Sequence, residues 1–210
     1  MSVTLFMHAA AVSLAATQAG IERVRLKRRV RHALASGIVD PAAMVFAHDD
    51  AGYGRIREAI AAHLRGDEER LVLSCSVYNG FAPRLSAEFG LPVDRSDDAG
   101  TRLAYGLGRR IGLAVSYPPS YAVVENHILA VAREAGRIIT LVPLLAENAF
   151  AFADDATRYA GVLLDAVAQA PEVDAIFLAQ YSMDPCAPLV AGATQVPVVS
   201  ALDSTLARLR

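Results

Sequence analysis

Cys75 sits in a run of small polar residues, Ser74-Cys75-Ser76, between the apolar Leu71-Val72-Leu73 and the turn-like Val77-Tyr78-Asn79-Gly80. A thiol between a buried strand and a helix start lies near unpaired backbone N–H groups, which bind anions and lower a thiol's pKa. Such a thiol can take a proton from carbon, return one, or attack a carbonyl. The plainer reading is a buried cysteine packed as a small hydrophobe. A repeat in the chain favours the chemical reading. Slid forward by about 105 positions, Leu71 to Ala104 overlays Ile176 to Leu209 without a gap, each copy reading as one supersecondary unit. Leu73 meets Leu178, Ala82-Pro83 meets Ala187-Pro188, Pro92-Val93 meets Pro197-Val198, and Asp98 meets Asp203. In that register Cys75 faces Gln180, so the two halves of the site are chemically unequal.

A glutamine amide cannot serve as a general base, but it can donate to a carboxylate or an enolate oxygen. Its bland alternative is a polar cap on a strand end. Ser76 and Val77 beside Cys75, and Tyr181 and Ser182 beside Gln180, are candidates to hold an anion through hydroxyls and turn N–H groups. Ser116-Tyr117-Pro118-Pro119-Ser120 opens a helix with ordinary start signals, and Ser116 and Ser120 can also grip a carboxylate. Tyr117 and Tyr53 are candidates for the cleft wall. His8, at the end of an apolar run, is an acid/base candidate or a strand-end histidine satisfied by hydrogen bonds, and the second reading is favoured. His32, His48, His63 and His127 lack metal-ligand spacing and read as surface or core residues. Cys186 falls opposite Phe81 in the repeat, where packing is its role. Asp154-Asp155 can hold an ammonium group or cap a helix, and the cap is favoured.

The elements that would position these residues alternate between strand and helix. Strands are expected at Val3 to His8, along the basic run Arg23 to Arg31, at Leu71 to Ser74, Leu91 to Asp94, Ile111 to Ser116, Arg137 to Val142, Ala175 to Leu178 and Val196 to Ser200. Helices are expected from about Ser13, over Tyr53 to Leu64, Ala82 to Phe89, about Ser120 to Ala135, Thr157 to Ala168 and Leu202 to Leu209. This order predicts an α/β fold of two pseudo-symmetric lobes, each a short, mostly parallel sheet flanked by helices. Ligands in such sheets bind beyond the C-terminal strand ends, which puts the site in the cleft between the lobes. The first lobe is expected to span residues 1–98 with 200–210, and the second residues 99–199. The loops from Asp40 to Tyr53 and Pro143 to Tyr159 would select the substrate.

Bulk properties narrow the function classes. The chain has 210 residues and a net charge of −2, which gives no footprint for nucleic acid or an anionic membrane. In Arg23 to Arg31 basic residues alternate with Val24, Leu26 and Val30, the pattern of an amphipathic strand with a solvated basic face. No apolar stretch reaches the roughly 18 residues of a membrane span. Two cysteines in unlike contexts do not form a disulfide framework, and no phosphate-binding loop or zinc motif is present. These features predict a soluble cytoplasmic protein without nucleotide or structural metal.

The chain resembles the aspartate/glutamate racemase superfamily, which includes hydantoin racemases, maleate isomerase and arylmalonate decarboxylase. The resemblance covers nearly the whole chain and rests on LSCSVYNG (73–80), LPVDRSDDAGTRLA (91–104), RRIGLAVSYPPS (109–120), DAIFLAQYSM (174–183) and VPVVSALDSTLARL (196–209). It implies a cofactor-free enzyme that holds a small carboxylate between two lobes, and assembly into dimers or larger oligomers. In two-cysteine members one thiol from each lobe flanks the substrate carbon. Cys75 matches the first, whereas Gln180 stands where the second is expected. That departure disfavours two-base racemisation and leaves three readings. One is a racemase- or isomerase-like enzyme acting beside a carboxylate with Cys75 as acid/base or nucleophile. Another is a single-cysteine decarboxylase, and the third a carboxylate-binding protein without turnover.

Overall fold

The computed structural model describes residues 2–35, 49–152 and 155–210. Strand β1 (Val3–His8) is apolar almost throughout and buried at every position, as a strand covered on both faces must be. It pairs in parallel with β2 (Arg29–Leu34) on one side and β3 (Glu68–Leu73) on the other, and β3 pairs in parallel with β4 (Val93–Asp94). The sheet order is therefore β2-β1-β3-β4. Its crossovers carry helices α1 (Ala11–Val24), α2 (Asp50–Ala61) and α3 (Ala82–Phe89). After α4 (Asp98–Leu107) the pattern restarts. Strands β5 (Arg110–Val115), β6 (Thr140–Leu145), β7 (Ala175–Leu178) and β8 (Val198–Ser200) form a second parallel sheet in the equivalent order β6-β5-β7-β8. Helices α5 (Tyr121–Glu134), α6 (Ala156–Ala168) and α7 (Ala187–Ala193) cross over it, and α8 (Ala201–Leu209) ends the chain.

The repeat read from the sequence is a repeat of structure. The 3₁₀ turns Ser76–Phe81 and Tyr181–Cys186 follow β3 and β7, and each runs into a helix that starts Ala-Pro. Proline suits a first helical turn because its missing N–H would have no partner there. Cys75 and Gln180 cap these turns with nearly the same backbone, φ −111° and ψ 116° against φ −115° and ψ 138°.

A shared core joins the sheets. Phe6 and Val72 of the first pack in one cluster with Leu113, Phe177 and Val199 of the second, and with Leu202 and Leu206 of α8. Each fully buried side chain of this size contributes about 1.5–3 kcal/mol. Helix α4 lies so close to β7 that a Cβ on Gly100 would stand 2.4 Å from the buried Phe177 ring. Separate clusters lie behind β3 (Leu73, Tyr78, Leu85) and behind β7 (Leu178, Met183, Cys186).

Two element expectations need correction. The basic run is not one strand: Arg23 and Val24 end α1, Arg25 closes it in the left-handed conformation (φ 50°), and β2 begins only at Arg29. Three of its cations also meet acids. Arg23 pairs with Asp184 and Asp203, Arg28 with Glu69, and Arg31 with Asp67 and Glu68. The second is β6, which lies three residues later than Arg137 to Val142 because it contains Pro143. A proline lacks the N–H a central strand needs, but β6 is an edge strand and tolerates it. Among the described residues no helix is long and apolar enough to cross a membrane.

Candidate active site

The C-terminal ends of β3 and β7 open into one cleft of ≈ 140 Å³. Of the residues singled out in the sequence, Cys75, Ser76, Val77, Tyr117, Ser120, Gln180, Tyr181 and Ser182 line it. His8 and Ser116 are not among the lining residues; both are buried and bonded to residues that are.

On the first side, burial pushes the Cys75 thiol up to about 11, against the opposing pull of the Val77 N–H. The lowered value expected from the turn's N–H groups is therefore corrected. One hydrogen bond from a short 3₁₀ turn does not offset desolvation against the core behind β3. Ser74 sits beside it, its hydroxyl 3.1 Å from the Met7 carbonyl and 2.9 Å from His8 Nδ1. His8 Nε2 in turn lies 2.9 Å from His32 Nδ1. Burial, and secondarily His32, hold His8 down at about 3, while burial lowers His32 as well, so both rings are neutral near pH 7. This is the hydrogen-bonded strand-end histidine favoured from the sequence.

On the second side, the Ser116 N–H and hydroxyl both donate to Gln180 Oε1 at 2.7 Å. A backbone N–H can only donate, so the amide oxygen is fixed at Ser116 and the amide N–H₂ is the group left for the cleft. Tyr159, on α6, places its hydroxyl 3.1 Å from that of Ser182. Ser120 donates to the Tyr117 carbonyl at 2.8 Å, and the Tyr117 ring tilts against Phe150. Tyr181 lines the cleft, but its hydroxyl donates to Thr205 of α8 at 2.9 Å and ties the turn to the shared core.

No family model matches the chain, and no curated protein is similar to it in sequence. Solved structures do match. Glutamate racemase from Bacillus anthracis superposes with a TM-score of 0.76 at 13% identity, over 99% of this chain and 80% of that one. Allantoin racemase from Pseudomonas fluorescens gives 0.72 at 12% identity, over 100% and 89%. A mutant of arylmalonate decarboxylase in which a glycine is replaced by cysteine gives 0.63 at 20% identity, over 100% and 93%. The chain shares the fold of these three enzymes. Its two sheets and the cleft at their strand ends are those the sequence resemblance implied.

Several residues of this cleft escaped the sequence reading. Ala9, Ala10, Val12 and Ser13 line it from the start of α1, and Ser74 and Phe150 complete the wall. The strand-end rule that drew attention to His8 points equally to the residues just after it, but small apolar types carry no chemical signal. Other assignments are corrected by packing. Tyr53 is buried in the core behind β3, hydrogen-bonded to Glu88 and stacked under Arg84, and does not line the cleft. Cys186 is buried behind β7 with burial raising it to about 11, as its packing role requires. Asp155 caps α6 by accepting from the N–H groups of Thr157 and Arg158. Asp154, His48 and most of the loop from Asp40 lie outside the described residues. His127 bonds Asp98 at 2.8 Å and Asp97 at 3.1 Å, three side chains that could together hold a metal ion and that are not among the cleft's lining residues. Those short contacts raise His127 to about 9 against its own burial, the behaviour of an ion pair.

Proposed function

We propose that this protein is a cofactor-independent racemase- or isomerase-like enzyme acting on the carbon next to a carboxylate, with Cys75 handling the proton. What carries this reading is the opposition of Cys75 and Gln180 across one cleft, with the Gln180 oxygen held by Ser116. The amide N–H₂, the Ser76 hydroxyl and nearby turn N–H groups would hold the carboxylate and the oxyanion that forms when the carbon loses a substituent. Fixed donors aimed at developing charge are typically the largest single contribution to such reactions. The thiol would then act on the neighbouring carbon.

A decarboxylase is the second reading, and one observation favours it. A thiol held near 11 keeps its proton at neutral pH, which suits delivery of a proton to a carbanion left by carbon dioxide. With no titratable group on Gln180, the opposite side supplies no second thiol. The likeness to arylmalonate decarboxylase agrees with this chemistry without choosing it.

The test is proton NMR in D₂O with aspartate, glutamate, a hydantoin, maleate and an alkyl- or arylmalonate, run with wild type and Cys75→Ser. Deuterium at a substrate carbon, or a new product, in the wild type alone is the expected result. Conserved mass identifies an isomerase, and loss of carbon dioxide a lyase. No reaction in either protein, with an acid that still raises the melting temperature of both, overturns catalysis in favour of simple binding.

A further inference from the structure

Behind Cys75 runs a line of polar groups through an otherwise apolar sheet. Ser74 lines the cleft, His8 is fully buried at the end of the central strand β1, and His32 is half-buried on the edge strand β2. The β1–β2 register sets His32 beside Phe6, two residues before His8 on the same face, and the three rings stack at 5.2–6.2 Å between centroids. Two contacts of 2.9 Å join Ser74 Oγ to His8 Nδ1 and His8 Nε2 to His32 Nδ1. A packing role alone would not need nitrogen facing nitrogen across a buried sheet. The arrangement has no counterpart on the other side of the cleft, where Ser116 holds the Gln180 amide.

We propose that Ser74, His8 and His32 form a proton relay between solvent and the cleft, with the Ser74 hydroxyl as its inner end. This inference rests on the carbon-acid reading for its purpose: the relay supplies protons on the Cys75 side of a cleft whose other side offers only the Gln180 amide.

The proton count closes. Each neutral imidazole carries one N–H, so the chain has two arrangements. In the first, Ser74 donates to the Met7 carbonyl, His8 Nδ1–H donates to Ser74, and His32 Nδ1–H donates to His8 Nε2. A proton taken from water at His32 Nε2 releases the one on His32 Nδ1 to His8 Nε2. The Ser74 hydroxyl turns from the Met7 carbonyl to an acceptor in the cleft and gives it its proton, as His8 passes its Nδ1 proton to Ser74 Oγ. One proton enters and one leaves, and every group ends neutral. In the resulting second arrangement Ser74 donates to His8 Nδ1 and His8 Nε2–H donates to His32 Nδ1. Run backwards, the same steps export a proton. Burial keeps both rings neutral near pH 7, which leaves each with the acceptor nitrogen a relay needs. Arg31 and Leu34 on β2 and Ala35 beyond it place no carboxylate beside the His32 ring; the neighbouring Arg31 is paired with Asp67 and Glu68.

The relay is tested by the solvent-exchange rate of the His8 ring N–H in protein labelled with ¹⁵N-histidine, comparing wild type with His32→Phe. Phenylalanine keeps the ring stack and removes both nitrogens, so the fold survives while the path is cut. Exchange at least about tenfold slower in His32→Phe is expected, because a buried N–H without a path must wait for local opening. Equal rates in the two proteins overturn the relay. Should His32→Phe unfold, Ser74→Ala gives the second readout. It leaves exchange at His8 fast while removing the inner end, and a slow His8 proton in that variant also overturns the proposal. Carbon deuteration in the same samples separates this from the parent reading. With a reacting acid, His32→Phe is expected to lower kcat at least about tenfold with KM unchanged, less than the roughly 10²–10⁴-fold of an acid or base that touches the substrate, because the relay acts through Ser74. Cys75-dependent deuteration that His32→Phe leaves untouched removes the relay and keeps the enzyme. Absence of any deuteration, with His8 exchange still dependent on His32, removes the carbon-acid reading and keeps the proton path.

Discussion

The two sides of the cleft share a backbone and differ in what stands behind it. Both are a parallel strand, a 3₁₀ turn and a helix opened by Ala-Pro, and the two capping residues differ by only a few degrees in φ. Behind Cys75 lie an apolar core and the Ser74–His8–His32 line. Behind Gln180 lie two hydrogen bonds from Ser116 and the Tyr159–Ser182 contact. One side carries a thiol backed by hydrogen-bonded rings, and the other an amide held still. The frame is repeated, and a few side chains make the two sides of the cleft unequal.

The sharpest way to break this comparison is Cys75→Ser. It keeps the turn and removes the thiol, and carbon deuteration should fall by about 10²–10⁴-fold, the range of acid–base catalysis. Full carbon deuteration in Cys75→Ser would erase the distinction between the sides. Next comes Gln180→Ala, which removes the amide from the proposed oxyanion position and is expected to cost about 10²–10³ in kcat. Gln180→Cys sharpens the contrast by restoring a thiol opposite Cys75. It should let a single enantiomer of a reactive acid racemise, read by chiral chromatography. Ser116→Ala keeps the backbone N–H donor to Gln180 and loses one hydroxyl bond. About 1 kcal/mol is expected, or roughly fivefold in kcat.

Stability against pH compares histidines instead of catalysts. His8 falls from 6.5 to about 3 on folding, so the unfolded chain binds the proton more readily. Its contribution is complete above 6.5 and drains away as pH falls from 6.5 toward 3, on the order of a few kcal/mol. His127 rises from 6.5 to about 9, so its contribution is complete below 6.5 and is lost as pH climbs toward 9. Denaturation midpoints across pH should therefore lose their acid slope in His8→Phe and their alkaline slope in His127→Gln. A variant that flattens the opposite limb would contradict the assignment.

Much of this was legible in the residues themselves. The run VTLFMH, the two Ala-Pro helix starts and the paired Pro-Val strands marked the frame, because buried parallel strands and helix starts leave strong compositional traces. The opposition of Cys75 and Gln180 followed from their common register. Less visible was β6, whose Pro143 reads as a loop until the strand is known to lie at an edge. The basic run was misread because charge alternation mimics a strand, while the actual partners of Arg23 are about 160–180 residues away in sequence. Thiol acidity was misjudged for a related reason. The turn's N–H groups are local and readable, whereas the desolvation that outweighs them comes from side chains gathered by the fold. The His8–His32 contact depends on the parallel register of β1 and β2, which no spacing in the sequence reveals.

The measurement that tests this asymmetry most directly is alkylation by iodoacetamide from pH 6 to 11, mapped by mass spectrometry and repeated with a bound acid. A cleft with one reachable thiol, protonated at rest, predicts modification at Cys75 alone. Its rate should rise steeply toward about 11 and be suppressed by the acid. Equal labelling of the buried Cys186, or a Cys75 rate already at its plateau near pH 7, would contradict it.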